Sequence, residues 1–258
     1  MNFDGLLSVE DAKRTNVLVT GVNQIGKTNL AVGLADWLDS VGFKVIVFDV
    51  PGAWRFKSGF PNQTIYPVTR GNFYYRSFPG SGVYTLALLR RSLRRRFVEE
   101  VTLRAWSGKA LSRGPVKDWT VFVFEEAETY LANIRGESAE NILQIIHVGA
   151  NMGLRGLLIT TDLALLDASA TRLCQVRFHG KLTPEENMKR KFRSYYGKDW
   201  TRSAMDDLGT GDFIRFRNGD LDVIHVPEFK VETVKPVTSR VISKPVKRGS
   251  WQKLKSYF

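Results

Sequence analysis

A short segment near the start of the chain has the residue types and the spacing needed to bind phosphate. Gly21, Gly26, Lys27 and Thr28 follow the order G-x-x-x-x-G-K-T, directly after the apolar run Asn16–Thr20. In this P-loop spacing, small residues let backbone N–H groups surround phosphate oxygens, and a following helix directs its positive end at the same anion. The predicted binding residues are Gly21, Val22, Asn23, Gln24, Ile25, Gly26, Lys27, Thr28 and Asn29.

The roles of two P-loop side chains follow from their chemistry. Lys27 is expected to meet the β- and γ-phosphates, and the hydroxyl of Thr28 is expected to ligate Mg²⁺. The helical spacing of Leu30, Leu34 and Leu38 after the loop supplies the helix that the pattern requires. The sequence therefore predicts ATP and Mg²⁺ as cofactors.

A pair of acids follows a second apolar run. Residues 119–124, WTVFVF, are typical of a fully buried parallel strand, and Glu125 and Glu126 come directly after them. An acid at the tip of such a strand holds Mg²⁺ opposite the P-loop hydroxyl, which is the role predicted for Glu125. Glu126 is expected to orient the attacking water or to accept its proton, which favours hydrolysis over binding alone. The alternative is an acid pair that only stabilises the start of a helix.

Apolar runs and helical patterns alternate along the chain. This alternation predicts an α/β fold with a central, mostly parallel sheet that is covered by helices on both faces. A helix is predicted near 139–150, a charged helical stretch over 184–198, and a hairpin with its turn at Asn218 and Gly219. The predicted strands are 16–20, 43–52, 119–124, 156–161 and 175–180.

Composition limits the classes of partner and site. The 258 residues carry a formal net charge of +12, which favours a polyanion, with nucleic acid ahead of an acidic membrane surface. The alternative is that the excess charge only keeps the protein soluble. The single Cys174 excludes a disulfide within the chain, and three distant histidines offer no metal-ligand spacing. With no apolar stretch of membrane-spanning length and no signal-peptide pattern, we expect a cytoplasmic protein.

Two segments concentrate the positive charge. Apolar residues recur at helical spacing from Leu86 to Val101, and the positions between them hold Arg90, Arg91, Arg94, Arg95 and Arg96. This predicts a basic helical segment at about 86–106 within an ATPase domain spanning 1–230. Residues 235–258 carry seven cations and no acid, so 231–258 is predicted to be a flexible basic tail. That tail is expected to contact DNA, a neighbouring subunit, or a capsid, membrane or pore protein.

Three pieces of the chain resemble the FtsK–HerA superfamily of ATP-driven DNA pumps. They are GVNQIGKT, VFVFEEAETYL and GANMGLRGLLITTDLALLDASATRLCQVRFHGKL, which lie between Asn16 and Leu182. The resemblance implies a RecA-like P-loop fold, ATP hydrolysis coupled to movement of double-stranded DNA, and a homo-oligomeric ring. In the family the acid strand usually ends in Asp-Glu, and here Glu125 stands in place of the Asp.

The resemblance also implies two further site roles. Thr161 occupies the position of the polar residue, usually Gln, that senses the γ-phosphate, and Asp162 is expected to share this role. An arginine of each subunit enters the neighbour's ATP site in the family, and Arg155 is the first candidate, on the turn before strand 156–161. Arg172 is the second candidate.

Three functions compete at this stage. The sequence favours a ring-forming ATPase that moves double-stranded DNA for viral genome packaging or plasmid transfer. A P-loop kinase that phosphorylates a small molecule is the first alternative, and the basic segments argue against it because they suit a polymer. The second alternative is a DNA-binding protein that uses ATP as a switch.

Overall fold

The computed structural model describes residues 5–67, 73–110, 116–131, 140–182, 207–217 and 219–227. The predicted helical stretch 184–198, Asn218 of the predicted turn and the tail 231–258 lie outside these residues. No helix within the described ranges is both long enough and apolar enough to cross a membrane.

Within the described ranges, nine strands form one sheet in the order β3-β4-β2-β5-β6-β1-β7-β8-β9. Strands β3 to β7 in this order pair in parallel, and β8 and β9 extend the sheet with an antiparallel hairpin. The strands are β1 (Asn16–Thr20), β2 (Lys44–Asp49), β3 (Asn62–Thr64), β4 (Gly82–Thr85), β5 (Thr120–Phe124), β6 (Leu154–Thr160), β7 (Cys174–His179), β8 (Asp212–Arg217) and β9 (Asp220–His225).

Helices connect most of the parallel strands. The described residues contain α1 (Val9–Arg14), α2 (Lys27–Ser40), α3 (Arg91–Ala110), α4 (Glu128–Leu131), α5 (Glu140–Val148) and α6 (Ala168–Arg172). Two 3₁₀ turns, Trp54–Phe56 and Gly149–Met152, complete the connections. These crossovers place helices over the sheet, as parallel strands require.

The two faces of the sheet differ in side-chain size. One face carries mainly valines, including Val45, Val47 and Val121, and packs against α1 and α2. The other carries aromatic side chains and packs against α3, α4 and α5. On that face the ring of Phe48 lies 6.0 Å from that of Phe122 and 5.5 Å from that of Phe124. The predicted parallel sheet with helices on both faces is therefore confirmed.

The topology brings the carboxyl ends of the central strands to one edge. Strand β1 lies between β6 and β7, whereas the next strand along the chain, β2, lies on the far side of β5. Ligands of open α/β sheets bind at the carboxyl ends where the strand order changes direction in this way. The residues after β1, β2, β5 and β6 therefore share one edge.

The basic helix and strand β6 differ from their predicted bounds. Helix α3 begins at Arg91 and ends at Ala110, because Leu86 and Leu89 lie in a turn after β4 in which the N–H of Leu89 bonds to the carbonyl of Leu86 at 3.0 Å. These two buried leucines have helical spacing without being helical. Strand β6 begins at Leu154, so Arg155 lies within a strand and not on a turn. The predicted hairpin is confirmed as β8 and β9.

One buried amide ties β1 to its neighbours, and its loss should destabilise the fold. Asn16 donates to the carbonyl of Ile146 at 2.8 Å and accepts from the N–H of Gly156 at 2.8 Å. Asn16→Ala would leave both backbone groups buried and unpaired, which costs about 1–3 kcal/mol for each group. We expect the free energy of unfolding in urea to fall by at least about 2 kcal/mol. The control Asn62→Ala, at an exposed residue of edge strand β3, should cost less than about 1 kcal/mol.

Candidate active site

The P-loop has backbone angles that favour glycine. Gly21 and Gly26 have φ of 151° and 102°, and Gln24 between them has φ of 66°. A Cβ at Gly21 would lie 2.9 Å from the side chain of Ile25 and 3.2 Å from the backbone of Gly180. The loop therefore curls back on itself at a position that only glycine fills without a clash, and α2 begins directly after it at Lys27.

The loop is fastened to the β7 side of the sheet. The N–H of Val22 donates to the carbonyl of Lys181 at 2.7 Å, just after β7. The N–H of Gly211, just before β8, donates to the carbonyl of Ile25 at 2.9 Å. These two contacts fix the loop from both sides and hold its shape for a phosphate group.

The Lys27 side chain is buried at the centre of the site. It is 8% exposed, and its ammonium donates to the carbonyl of Val22 at 2.8 Å. Burial lowers the pKa of Lys27, and the negative charges of Glu125 and Glu128 oppose this by raising it. A cation held between carboxylates and the P-loop backbone is suited to bind a polyphosphate, which supplies further negative charge.

Thr28 and Glu125 meet as the sequence predicted for a magnesium site. The Thr28 hydroxyl donates to Oε1 of Glu125 at 2.9 Å, and the Trp54 indole N–H donates to Oε2 of the same carboxylate at 2.8 Å. Burial raises the pKa of Glu125 to about 7, although both hydrogen bonds lower it. Hydroxyl and carboxylate oxygens are the ligands that Mg²⁺ prefers, so this pair fits the ion.

A magnesium ion that binds together with a nucleotide needs few protein ligands. The described residues contain no group of three or more His, Cys, Asp or Glu side chains that could hold a metal ion. Mg²⁺ bound with a nucleotide uses one or two protein oxygens, waters and the phosphates themselves. A hydroxyl and a carboxylate at the positions of Thr28 and Glu125 are compatible with such a site.

Sequence reasoning missed the indole that holds Glu125. Asp49, at the end of β2, accepts hydrogen bonds from the N–H groups of Gly52, Ala53 and Trp54 at 2.9, 3.2 and 3.0 Å. This folds the turn after β2 and places Trp54 over the acid strand. Burial raises the pKa of Asp49 to about 6. The sequence signal was an acid at a strand end before a Pro-Gly pair, which is typical of a side chain that caps a turn.

Two more acids lie in the turn after β5. Glu126 has φ of 52°, which is uncommon for a residue with a side chain. The N–H of Ala127 then donates to the carbonyl of Ile159 on β6 at 2.8 Å, and the Thr161 hydroxyl donates to Oε1 of Glu128 at 2.8 Å. The structure thus brings Thr161 to the acid strand, but through Glu128, which sequence reasoning did not single out.

Arg155 lies away from the P-loop. Its guanidinium is 5% exposed and donates to the carbonyls of Leu154 and Lys13. It also lies over the ring of Trp119, at 5.3 Å from the ring centroid, and burial lowers its pKa to about 10. Arg155 is therefore buried near the amino-terminal start of β6, at the edge of the sheet opposite the P-loop. Arg172, at the end of α6, is exposed.

Comparison with solved structures gives the fold. This chain is similar to the genome packaging NTPase B204 from Sulfolobus turreted icosahedral virus 2 in complex with ATP-gammaS. The match covers 84% of this chain and 99% of that chain, with 14% identity and a TM-score of 0.62. The chain has the P-loop NTPase fold. Neither a protein-family model nor a curated protein matches the sequence.

Two larger proteins contain the same fold. EssC (ATPases 2 and 3) from Geobacillus thermodenitrificans is similar over 85% of this chain, with 10% identity and a TM-score of 0.52. EccC (ATPases 2 and 3) from Thermomonospora curvata, in complex with a signal sequence peptide, is similar over 85% of this chain, with 14% identity and a TM-score of 0.51. This chain spans 41% and 39% of those chains, so it corresponds to a part of each.

Removing the indole donor should destabilise the protein in a pH-dependent way. Trp54→Phe leaves one buried oxygen of Glu125 without a donor, which costs about 1–3 kcal/mol when Glu125 is ionised. Because the folded pKa of Glu125 is raised above 4.5 to about 7, its contribution to stability is present at low pH and is lost as the pH rises through this window. Loss of the indole raises that pKa further, so the destabilisation should be larger at pH 8 than at pH 5.

The measurement is urea unfolding at both pH values, without divalent ions. Trp119→Phe is the control, because Trp119 packs on Phe43 and Arg155 and has no contact with a carboxylate among its described contacts. It should lower stability equally at the two pH values. An equal loss at pH 5 and pH 8 for Trp54→Phe would contradict the role assigned to the indole.

Proposed function

We propose that the protein is an ATPase that translocates double-stranded DNA, as a member of the FtsK–HerA superfamily, and that viral genome packaging is its role. The observation that carries the proposal is the contact between Thr28 and Glu125 beside the buried Lys27. A P-loop hydroxyl paired with a strand-end carboxylate is the arrangement that P-loop NTPases use for Mg²⁺ and the β- and γ-phosphates. The match to nearly the full length of a genome packaging NTPase supports the packaging role.

The proposed chemistry divides among the residues of the site. Lys27 and the P-loop N–H groups would bind the phosphates, and Thr28 with Glu125 would hold Mg²⁺. The metal ion, when bound, neutralises the charge that develops on the β- and γ-phosphate oxygens. Glu126 is proposed to orient the attacking water or to take its proton, and Thr161 is proposed to sense the γ-phosphate.

The DNA-binding part of the proposal rests on charge. The net charge is +12, and Arg90, Arg91 and Arg96 are exposed beside or on α3. Arg94 is partly buried and donates to the carbonyl of Leu89 at 2.7 Å, and Arg95 pairs with Glu99 at 3.5 Å. The basic surface of α3 is therefore smaller than the sequence pattern indicated, and the proposal uses its exposed members only.

Assembly is the remaining part of the proposal. A ring would place an arginine of one subunit at the neighbour's phosphates, and Arg172 is the exposed member of the two candidates. We further propose that residues 1–230 form the ATPase domain and that the basic segment 231–258 contacts DNA or a capsid, membrane or pore protein.

Lys27→Ala should abolish ATP turnover and preserve the fold. The change removes the cation expected at the β- and γ-phosphates, so we expect kcat to fall at least about 100-fold, with thermal unfolding still cooperative. Lys57→Ala, at an exposed lysine, is the matched control and should leave kcat unchanged. ATP turnover near the wild-type rate in folded Lys27→Ala would contradict the ATPase assignment. ATP consumption that does not change when long DNA is added would favour the kinase alternative. Slow ATP turnover both with and without DNA would favour the DNA-binding protein that uses ATP as a switch.

The exposed arginines should contribute to the salt dependence of DNA binding. Each phosphate neutralised releases condensed counterions, so Arg90→Gln with Arg96→Gln should reduce the slope of log affinity against log salt by about 2. DNA-stimulated ATPase should fall and the basal rate should not. The control is Lys13→Gln with Arg14→Gln, which removes the same charge on α1, over the opposite face of the sheet. Equal slopes in the two double variants would assign the arginines to a solvated surface.

A further inference from the structure

The turn after β5 carries a third acid that the proposed division of roles leaves unused. Glu128 begins α4, three residues after Glu125. The hydrogen bond from the N–H of Ala127 to the carbonyl of Ile159 ties this turn to the end of β6. Since β6 lies directly between β5 and the P-loop strand β1, Glu128 is at the edge where the phosphates are expected.

The two oxygens of the Glu128 carboxylate differ in their surroundings. Oε1 accepts the hydroxyl of Thr161 at 2.8 Å. Oε2 is buried and receives no hydrogen bond from the part of the chain that the structure describes. Leaving a buried carboxylate oxygen unpaired is costly, so an acceptor of this kind next to a reaction site needs an explanation. A water molecule that donates to Oε2 provides one.

Charge places Glu128 close to Lys27. Burial lowers the pKa of Lys27, and the two charges that act against burial are those of Glu125 and Glu128. The charges that act on Glu126 are instead those of Glu128 and Arg94 of α3. The charge of Glu128 therefore acts on the ammonium that would bind the β- and γ-phosphates, whereas the positive charge that acts on Glu126 is that of an arginine of α3.

The backbone at Glu126 explains this difference. A φ of 52° lies in the left-handed region, which turns the chain sharply and costs a non-glycine residue about 1 kcal/mol or more. This turn allows Ala127 to bond to β6, and it thereby sets Glu128 beside Thr161. Strain of this kind persists only where the surrounding structure enforces it.

We infer that Glu128 is the catalytic carboxylate that binds the attacking water through Oε2, with Thr161 as the positioning residue that fixes Oε1. This inference rests on the proposed ATPase function and refines its assignment of the water to Glu126. The water oxygen forms a bond to the γ-phosphorus, and the bond to the bridging oxygen breaks with its electron pair leaving on ADP. The water proton passes to Glu128 and then to solvent, which gives ADP and inorganic phosphate.

The test compares single amide variants in full-length protein with ATP and Mg²⁺. Glu128→Gln should bind a fluorescent ATP analogue within about threefold of wild type while kcat falls about 100-fold, because the amide keeps its shape but takes no proton. Glu126→Gln should lose less than tenfold. Glu140→Gln, at an exposed first-turn acid of α5, is the matched control and should be unchanged. The reverse ranking of Glu128→Gln and Glu126→Gln would overturn the inference and leave the ATPase assignment intact.

Two further variants keep the test decisive. If Glu128→Gln does not fold, Glu128→Asp shortens the carboxylate by one methylene and should still lose more than tenfold in kcat. Thr161→Val should lose about tenfold in kcat with nucleotide affinity retained, and Thr161→Ser should restore it, which loss of packing alone would not explain. Wild-type protein that binds ATP without hydrolysing it would instead refute the proposed function, and the inference with it. Full activity of Glu128→Asp and Thr161→Val would overturn the inference alone.

Discussion

The carboxylate of Glu125 is the constraint on which the site depends. It is buried, and it is held between the hydroxyl of Thr28 and the indole of Trp54. The three residues follow β5, β1 and β2, so one ionisable group ties the ends of three strands together. A carboxylate buried in this way requires both donors, because an unpaired charge at that depth would cost several kcal/mol. The turn that Asp49 folds after β2 is therefore part of the nucleotide site, although none of its groups is expected to contact the nucleotide.

The packing of the sheet fixes the strand ends that carry these residues. Valines on one face and aromatic rings on the other fill the two core layers, and every residue of the central strands β1, β5 and β6 is buried. The backbone groups of the central strands are used within the sheet, so only their carboxyl ends are free to carry polar chemistry. This explains why the acids and hydroxyls of the site come after the strands: Glu125 and Thr161 directly follow β5 and β6, and Thr28 lies at the start of the helix after β1.

The sequence predicted the parts of the site that depend on local order. The P-loop, α2 and the strands β1, β2, β5, β6 and β7 follow from short patterns, and the structure contains all of them. Trp54 and Glu128 were missed because their roles depend on which strand ends are neighbours, and no local pattern states that β6 separates β5 from β1. Arg155 was placed on a turn before the strand, whereas it lies within β6 and its guanidinium contacts the carbonyl of Lys13 in α1 and the ring of Trp119. The spacing of Leu86 and Leu89 imitates a helix, since a tight turn also brings residues three apart to one side.

The contacts of the P-loop with the end of the described chain have a mechanical consequence. Ile25 accepts a hydrogen bond from Gly211, Gly211 accepts one from Val226, and the amide of Asn29 donates to Pro227. The loop, the corner before β8 and the exit of β9 are thus joined by hydrogen bonds, and the buried side chains of Ile25 and Val226 belong to the same hydrophobic layer. The P-loop is therefore coupled directly to Pro227, the last described residue, after which the sequence continues into its basic segment. We expect a nucleotide that rearranges the loop to change the position of this exit as well.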